Sequence, residues 1–482
     1  VVDFDNDNEN EVLFVDRAGK IYSIEADASI SDGFPVELGE EAWSSIAVGD
    51  IDNDQQYEIV LTTRYNKIYA IDNDESVIFE YETGGQMICT PTVVDLDGDE
   101  ELEIIAPCLD GKLYVIKIDG SDYPNFPYSL GSPIFADVAV GDINNDEVKD
   151  IVLGTLNGAL YAISSEGVIL DGFPIETDSQ IWSPPIIFDN NNRIAFSNYD
   201  YKIYIIDGYG DIKCIKDLSS NIFSSMIAFT QERDDEFLLA FNTLSGELEI
   251  INGNGIILQG WPQEMGTGTK NSPVAVDINN DGEIEILSST TNGNIFCYSL
   301  NGELLPEFPI TGNSIINSSL TINDLDKDGD LELISGTNSG VAVWDYKNPK
   351  GSLTPWTMYR GNIQRTGNYS DNINVTSIDS NFELKNKFIL YQNYPNPFNP
   401  DIIGTTISFS ATDLHRFTRI KIYNVKGQLV KKFKIQNSKF KINEVVWDGK
   451  NDNGKPVSNG IYFYKLLTEN YTSPVKRLLL LR

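Results

Sequence analysis

Short hydrophobic runs, rich in β-branched and aromatic residues, recur along the first three quarters of the chain. In one stretch they cover residues 45–49, 59–62, 67–71 and 77–81, and Gly, Asn and Asp residues separate them. β-Branched and aromatic residues favour strands, and the intervening residues favour turns. The pattern predicts a unit of four short strands.

The same unit returns along the chain, and each copy carries an acidic loop after its first strand. The leading Asp of this loop stands at 3, 50, 95, 142, 189, 277 and 324, with gaps of 47, 45, 47, 47, 88 and 47. The gap of 88 accommodates two copies, one with a shortened loop, which gives eight copies. Repetition of four strands at this period is typical of a β-propeller. We therefore expect an all-β fold with an eight-bladed propeller, and seven blades, with the first copy completing the last, is the alternative.

The loop at 324–332 shows the chemistry of the repeat most completely. It places carboxylates at positions 1, 3, 5 and 9 and Gly329 at position 6, where a sharp turn is needed. Alternate side chains of such a loop can converge on one cation, and ligands that are all oxygen select a hard ion such as calcium. The flanking residues have strand patterns, and the acid stands at position 9 instead of 12, so the loop is not an EF-hand.

These copies resemble the FG-GAP/VCBS repeat family of calcium-binding extracellular propellers over residues 1–367. The resemblance implies several structural calcium ions, held in the six loops that keep all four ligand positions. Those loops are Asp3, Asp5, Asp7 and Glu11; Asp50, Asp52, Asp54 and Glu58; Asp95, Asp97, Asp99 and Glu103; Asp142, Asn144, Asp146 and Asp150; Asp277, Asn279, Asp281 and Glu285; and Asp324, Asp326, Asp328 and Glu332.

Two departures from the family pattern affect the expected metal binding. Only Gly282 and Gly329 supply the glycine at position 6, which leaves the affinity of the other four loops open. The fifth and sixth copies degenerate to 189–193 and 230–236, and we expect neither to bind metal. A solvated acidic turn is the alternative for the intact loops, but clustered carboxylates in six copies would repel one another without a cation.

The last hundred residues change character. Residues 382–482 carry 17 Lys and Arg against 7 Asp and Glu, whereas residues 1–381 carry 18 against 65. Alternating runs at 405–409, 419–423, 429–435, 444–447, 461–467 and 476–481 predict an Ig-like β-sandwich. Residues 355–367 resemble the closing segment that follows such propellers in secreted proteins, and the polar residues 368–381 predict a linker.

Ordered motifs in the C-terminal domain extend this picture. They include 394–400, 422–424 with 427–430, 447–450, 460–464 and 476–482. They resemble the C-terminal sorting domain of the type IX secretion system, and also the Ig-like domain of flagellar hook-capping proteins, a context that lacks a calcium propeller. The resemblance to the sorting domain implies the type IX machinery as a partner and a bacterial cell-surface or extracellular location.

The composition excludes several function classes. The formal net charge of −37 argues against a nucleic-acid partner, and no apolar run is long enough to span a membrane. Cys89 and Cys108 flank one predicted hairpin and could pair, although buried free thiols are the simpler interpretation. No signal peptide is visible and the chain opens inside a strand pattern, so we expect a piece of a longer precursor.

The sequence offers little catalytic chemistry. The single histidine, His415, lies in the C-terminal domain, which argues against a catalytic triad, and we expect this chain not to be an enzyme. Seven residues before each loop, a ring of candidate ligand-binding side chains precedes the first strands; its members are Trp43, Ile88, Phe135, Trp182, Phe223, Lys270 and Asn317. Aromatic residues there could stack on a glycan or a surface protein, and packing between blades is the alternative.

Three functions fit these observations. The first is a secreted, calcium-stabilised propeller for adhesion, recognition or structural display. The second is the accessory region of a larger secreted protease or polysaccharide-degrading enzyme whose catalytic domain lies upstream. The third, a polysaccharide lyase, is disfavoured by the single histidine.

Overall fold

The structure is a computed structural model that describes residues 1–190, 192–231, 234–312, 314–348, 355–372, 388–390, 398–400, 404–411, 419–426, 428–434, 442–452, 454–467 and 476–481. The chain divides into two compact units, Val1–Thr376 and Ser377–Arg482. Each unit is described separately below.

The first unit is built from small antiparallel sheets in which consecutive strands pair as meanders. We number the eight sheets found in its described residues in chain order. Their strands are Val12–Val15, Lys20–Ile24 and Val36–Glu37 (sheet 1); Ala47–Gly49, Glu58–Thr63, Lys67–Ile71 and Val77–Glu82 (sheet 2); Thr92–Val94, Glu103–Pro107, Lys112–Ile116 and Tyr128–Ser129 (sheet 3); Ala139–Gly141, Asp150–Gly154, Ala159–Ser164 and Ile175–Glu176 (sheet 4); Ile186–Phe188, Arg193–Asn198, Lys202–Asp207 and Ile212–Asp217 (sheet 5); Ile227–Gln231, Asp234–Asn242, Glu247–Asn252 and Gln263–Glu264 (sheet 6); Val274–Val276, Glu285–Ser289, Asn294–Ser299 and Ile310–Thr311 (sheet 7); and Thr321–Asn323, Leu331–Thr337 and Gly340–Tyr346 (sheet 8).

The four strands predicted in the second copy are confirmed as the strands of sheet 2. Every residue of Glu58–Thr63 is buried, whereas the outer strand Val77–Glu82 is half exposed. This gradient explains the sequence pattern, because a strand covered on both faces is continuously apolar and an edge strand alternates. The first strand of each sheet is called the inner strand below. Sheet 1 has no separate inner strand, and an isolated bridge between Val2 and Glu11 stands at the equivalent position before Val12–Val15.

Neighbouring sheets share hydrophobic clusters. Ala47 and Val60 of sheet 2 pack with Val93 and Ile104 of sheet 3, and similar clusters join the following sheets. The last sheet also packs against the first, in a cluster of Val12 with Leu325 and Ile334. Burial of apolar surface between sheets is thus repeated from one sheet to the next and returns to its start.

The closing segment and the predicted linker meet at residue 368. Residues 369–372 form the only α-helix in the described part of the chain, Tyr369–Asn372. Asn368 is buried, its Nδ2 donates to the carbonyl of Val140, and the ring of Tyr369 packs edge-on against Phe237. Residues 368–372 therefore belong to the first unit, because their side chains find partners inside its fold. The first unit thus extends beyond residue 367, where the sequence predicted its end. Residues 373–381 of the predicted linker lie outside the described residues.

The second unit has two sheets. One contains Phe388–Leu390, Thr405–Ala411 and Ile442–Trp447, and the other contains Leu429–Lys434, Arg419–Asn424, Gly460–Leu467 and Lys476–Leu480 in that spatial order. Ile407 and Trp447 of the first sheet pack with Ile420 and Tyr464 of the second. The six strands expected from the alternation are confirmed, and Phe388–Leu390 is additional. Residues 394–397 of the first sorting motif, Gly427, and the segments containing His415 and 471–475 lie outside the described residues.

Two expectations concern the chain as a whole. In the described ranges, no helix has the length and apolar character needed to cross a membrane. All four cysteines are free thiols, and Cys89, Cys108 and Cys297 are buried, so the pairing of Cys89 with Cys108 is not formed.

Candidate metal centres

The acidic loops connect each inner strand to the second strand of the same sheet, and their backbone folds around their own carboxylates. In the loop 50–58, the Ile51 amide donates to Glu58 Oε2 at 2.6 Å and the Gln55 amide donates to Asp50 Oδ2 at 3.1 Å. The Gln56 amide donates to Asp54 Oδ1 at 2.8 Å. These bonds draw both ends of the nine-residue loop together, so that position 1 and position 9 face the same interior.

The same bonds recur in every intact loop. The amide at position 2 donates to the acid at position 9, with donor–acceptor pairs Phe4–Glu11, Ile51–Glu58, Leu96–Glu103, Ile143–Asp150, Ile278–Glu285 and Leu325–Glu332. The amide at position 6 donates to the Asp at position 1, with pairs Asn8–Asp3, Gln55–Asp50, Glu100–Asp95, Glu147–Asp142, Gly282–Asp277 and Gly329–Asp324. The six predicted loops therefore share one geometry.

The carboxylates converge in four of these loops. Oxygen atoms lie within 4.8 Å of one another in the groups Asp3, Asp5 and Glu11; Asp50, Asp52 and Glu58; Asp95, Asp97 and Asp99; and Asp326, Asp328, Asp330 and Glu332. The predicted ligands Asp7, Asp54, Glu103 and Asp324 belong to these loops but not to these tightest groups. Asp330, at position 7, joins the last group and was not predicted.

The remaining two intact loops carry an amide at position 3. Asn144 Oδ1 and Asn279 Oδ1 each accept a bond of 2.9 Å from the amide of position 5, as the carboxylates of the other loops do. A carboxamide oxygen is also a calcium ligand, so the substitution keeps the donor set all-oxygen while it removes one charge.

The acid at position 9 is buried in every intact loop. Glu58 is fully buried, and burial, reinforced by the neighbouring aspartates, raises its pKa to about 7. The same causes raise the pKa of Glu11, Glu103, Asp150 and Glu332 to about 7 and that of Glu285 to about 8. A buried carboxylate is stable in its ionised form only beside a compensating positive charge.

Five buried carboxylate oxygens of these loops have no hydrogen-bond partner. They are Asp3 Oδ1, Glu11 Oε1, Glu58 Oε1, Asp330 Oδ1 and Glu332 Oε1. A buried acceptor without a donor is costly, and a cation inside the loop would satisfy it. The donor set therefore fits a hard divalent cation.

Two positions of the loop have a left-handed backbone. At position 6, φ is 69° for Asn8, 72° for Gln55 and 73° for Glu100, close to 82° for Gly282. The four loops without glycine thus adopt the turn that glycine would favour. At position 4, Asn6, Asn53, Asn145 and Asn280 also have positive φ. Asn tolerates this region well, and its recurrence at position 4 is a sequence signal that we missed.

The fifth copy replaces the acidic loop by a short connection with its own cation. Arg193 Nε lies 3.4 Å from Asp189 Oδ2, and Arg193 Nη1 donates to the carbonyl of Gly253 at 2.6 Å. In the sixth copy the strands Ile227–Gln231 and Asp234–Asn242 pair almost directly. Residues 191, 232 and 233 of these connections lie outside the described residues.

The eighth loop has an ammonium group beside its carboxylates. Lys347 Nζ lies 2.5 Å from Asp345, 3.2 Å from Asp328 and 3.7 Å from Asp330. Lys347 is exposed, so this lysine can move into solvent when another cation binds.

The predicted ligand ring lies at the other end of the inner strands, and the structure divides it. Phe135, Trp182 and Phe223 come together, with ring centroids 4.5 Å apart for Phe135–Trp182 and 5.1 Å apart for Trp182–Phe223. Tyr199, which we did not predict, is 44% exposed and lies 5.6 Å from Trp182. Lys270 Nζ lies 4.9 Å from the Phe223 centroid. We call these five residues the aromatic cluster.

The other predicted members of the ring stand differently. Trp43 is 49% exposed, and the guanidinium groups of Arg64 and Arg17 lie 4.2 and 5.4 Å from its ring centroid. Ile88 is half-buried and Asn317 is exposed. The aromatic cluster thus spans sheets 4 to 7, and Trp43 is paired with cations.

Comparisons with known proteins identify the two architectures. The FlgD Ig-like domain family matches residues 404–470. BamB from Moraxella catarrhalis superposes with a TM-score of 0.52 at 16% identity, covering 70% of this chain and 92% of that one. The V. cholerae biofilm matrix protein Bap1 superposes with a TM-score of 0.57 at 13% identity, covering 76% and 91%. No curated protein sequence matches the chain.

These likenesses establish the fold. The first unit is β-propeller-like, and the second contains an Ig-like domain. The loops of the first unit offer cages of carboxylate and amide oxygens for hard cations. The aromatic cluster of the same unit offers a flat apolar surface beside a lysine.

Proposed function

We propose that the chain is a calcium-stabilised, eight-bladed β-propeller that is exported and serves in adhesion or recognition outside the cell. One observation carries the proposal: six loops share one fold around a buried acid whose pKa is raised. In three of the loops, one of the two carboxylate oxygens of this acid has no hydrogen-bond donor. Calcium suits such loops because it accepts six to eight oxygen ligands in flexible geometry. In the fifth copy, an arginine supplies the positive charge instead.

The way in which the sheets are connected supports the proposal of eight blades. The first copy forms a sheet of its own, with Val12–Val15 paired to Lys20–Ile24, instead of contributing strands to sheet 8. Sheets 1 and 8 pack together through Val12 and Leu325, and Asn10 Nδ2 donates to Asn323 Oδ1 at 3.2 Å. These contacts favour one ring of eight over seven blades completed by the first copy.

Metal analysis tests the calcium proposal. The purified 482-residue chain, dialysed against millimolar calcium, is expected to retain up to six ions, measured by elemental analysis and native mass spectrometry. Asp189→Ala is the matched control, because the fifth copy lacks the cage, and it is expected to leave the count unchanged. A chain that retains no calcium, or that loses one ion in the Asp189→Ala variant, would contradict the proposal.

The route of export is proposed from the C-terminal domain. Residues 382–482 carry ordered motifs that resemble those of a type IX sorting domain, and residues 404–470 match an Ig-like domain family. The net positive charge of 382–482 sets this region apart from the acidic propeller. Deletion of residues 382–482 in a bacterium with a type IX system is expected to leave the propeller in the periplasm. A truncated chain that still reaches the surface would overturn this part.

The aromatic cluster is the proposed recognition surface, for a glycan or a surface protein. Its members come from neighbouring sheets, which also fits packing between blades, but the exposed Tyr199 and the cation over Phe223 leave a face for a ligand. Trp182→Ala is expected to weaken binding on glycan and peptide arrays without changing the calcium count. Tyr209→Ala, which removes a 66% exposed ring outside the cluster, is the control. If the two variants bound the array ligands equally well, the aromatic cluster would be excluded as the recognition surface.

We also propose that this chain alone catalyses nothing. Its carboxylates cluster where a calcium ion would keep them ionised and coordinated, and the propeller contains no histidine to act as a base near neutral pH. An activity screen on polysaccharides and proteins tests this. Turnover that is lost on mutating one acid outside the loops would contradict it.

A further inference from the structure

The segment after sheet 8 bonds to the inner strands around the whole first unit. Trp356 is fully buried, and its backbone exchanges two hydrogen bonds with Ala275 of sheet 7, at 2.8 and 3.2 Å. The next carbonyl, of Thr357, accepts a bond of 2.9 Å from the Ile322 amide of sheet 8. The segment therefore bonds first to the inner strand of sheet 7 and then to the inner strand of sheet 8.

The path then continues in sheet order. The carbonyl of Ile363 accepts from Val48 of sheet 2 at 3.0 Å, that of Gln364 from Val93 of sheet 3 at 3.0 Å, that of Thr366 from Val140 of sheet 4 at 2.9 Å, and that of Gly367 from Ile187 of sheet 5 at 3.0 Å. The Tyr369 hydroxyl lies 3.1 Å from Thr230 Oγ1 of sheet 6. Ile363 also packs with Val2 and Phe4 of the first copy.

The segment thus makes a single circuit through all eight copies. In six of them the bond comes from one equivalent amide, which stands two residues before the leading position of the loop: Val48, Val93, Val140, Ile187, Ala275 and Ile322. These inner strands have only three residues each, so an amide at their free edge depends on a partner. We call residues 356–369 the hoop.

Two arginines of the hoop fasten it across the interior. Arg360 is fully buried, and its guanidinium donates to the carbonyl of Pro185 at 2.7 Å, to Ser225 Oγ at 3.1 Å and to the carbonyl of Val138. Arg365 Nε donates to the carbonyl of Ile46 at 3.0 Å. Single side chains of the hoop therefore reach sheets 2, 4, 5 and 6.

One buried acid, Asp137, offsets part of the positive charge of these two arginines. Asp137 is buried, accepts the Tyr359 hydroxyl at 2.7 Å and accepts the Thr90 amide at 2.9 Å. Removing one partner of such a buried network leaves charges and donors uncompensated. The hoop is consequently held by a specific set of polar contacts as well as by burial.

The seam between sheets 8 and 1 explains why a hoop is needed. Among the described strands of the first unit, each sheet consists of consecutive strands, so no strand passes from sheet 8 to sheet 1 to close the circle. The hoop crosses this seam between Thr357, bound to sheet 8, and Ile363, packed on the first copy and bound to sheet 2.

We propose that the hoop is the latch of the ring: residues 356–369 bind the inner strands as an internal peptide ligand and couple the eight sheets into one cooperative unit. The inference rests on the proposed eight-sheet ring and is independent of calcium. It also implies that the ring closes only after residue 369 has joined it.

A pair of glycines allows a sharp test in the full chain. Gly367 has φ of 62°, and a Cβ there would lie 1.9 Å from Arg360 Nη2, so Gly367→Ala should displace the hoop. Gly131 has φ of 70°, and a Cβ there would meet nothing within 4 Å. Gly131→Ala therefore reproduces the backbone strain without touching the hoop and is the matched control.

Hydrogen exchange measured by mass spectrometry gives the readout. In Gly367→Ala, amide exchange is expected to accelerate by about tenfold or more, not only near Ile187 but also at the distant Ala275 and Ile322. Gly131→Ala should not accelerate exchange at those two amides. If Gly367→Ala fails to fold, Arg360→Lys, which keeps the charge but loses the fork, is measured in the same way.

The outcomes separate the alternatives. Acceleration confined to sheets 4 and 5 would overturn the latch and leave the hoop as passive filling of the interior. Acceleration at Ala275 and Ile322 with an unchanged calcium count would support the latch. A chain that binds no calcium but behaves in this way would refute the proposed metal sites without affecting the hoop.

Discussion

The fourth and fifth copies lie side by side and end their inner strands in opposite ways. The loop 142–150 has nine residues, with carboxylates at three of its four ligand positions, Asp142, Asp146 and Asp150. No lysine or arginine pairs with these three acids within the described structure. The connection 189–193 keeps only the leading acid and places Arg193 against it. Both sheets are otherwise alike, with four strands each and inner strands that bond to the hoop.

The difference shows what the acidic loops require. When one carboxylate remains, a side-chain cation is enough, and the loop can be short. When three or four carboxylates belong to one loop, with one of them buried, no single lysine or arginine can neutralise them, and a divalent ion with many coordination positions is better suited. The sixth copy, where two strands pair with hardly any loop, shows that the sheet itself does not depend on the acids.

Removal of calcium should have the largest effect on this comparison. An ion bound only by the folded state stabilises it by about 2.7 kcal/mol when its free concentration is about a hundred times Kd. Several such sites should make the melting temperature of the whole first unit fall sharply in chelator and recover when calcium is restored, as followed by calorimetry. Magnesium at equal concentration is the control, because it prefers a smaller octahedral site. An unchanged melting temperature in chelator would break the comparison.

Neutralising the buried acid of a single loop should have the next largest effect. Asp150→Asn keeps the shape of the side chain but removes a ligand charge, so it should cost one calcium ion and about 2–3 kcal/mol in saturating calcium. In chelator the sign should reverse or vanish, because the variant no longer buries an uncompensated carboxylate.

The matched variant for this experiment is Asp189→Asn, which should leave the calcium count unchanged when calcium is present. Chemical denaturation in calcium and in chelator measures both stabilities. Equal destabilisation of Asp150→Asn in the two conditions would mean that the loop is a plain structural turn.

Much of this comparison could be predicted from the sequence, because local patterns encode it. The alternation at 67–71 and the spacing of acids from Asp50 to Glu58 are visible in a single window. The contribution of Lys347 was not, since it enters the eighth loop from the end of the third strand. The circuit of the hoop joins residues such as Val48 and Ile363, which are hundreds of positions apart, and no periodicity reports such contacts. Arg193 stands at position 5 of the fifth copy, where the other loops have an acid, and this replacement could have predicted its pairing with Asp189.

Arg193→Ala should have a smaller effect that does not depend on calcium. The pair with Asp189 is partly exposed and contributes little by itself, but the bond to the Gly253 carbonyl would also be lost. We expect a loss of about 1 kcal/mol, equal in calcium and in chelator. Lys216→Ala, which breaks a pair with Glu249 away from the loops, is the comparison variant. A gain of calcium binding by Arg193→Ala would show that the fifth copy is a blocked metal site.

The smallest effect concerns the backbone at position 6. Gln55 is exposed and has φ of 72°, so Gln55→Gly should relieve left-handed strain without changing charge or contacts of the side chain with the core. The strain of a non-glycine residue there is about 1 kcal/mol or more, and the extra freedom of glycine in the unfolded chain offsets part of it. We expect a gain of at most about 1 kcal/mol, equal in calcium and in chelator, because the loop already has the turn that the ion needs. Ala28→Gly, at φ of 68° in a turn outside the acidic loops, should give a similar gain. If Gln55→Gly instead raises calcium affinity markedly, measured by titration calorimetry, the loop reaches its turn only with the ion, and the four loops without glycine are weaker sites than the two that have it.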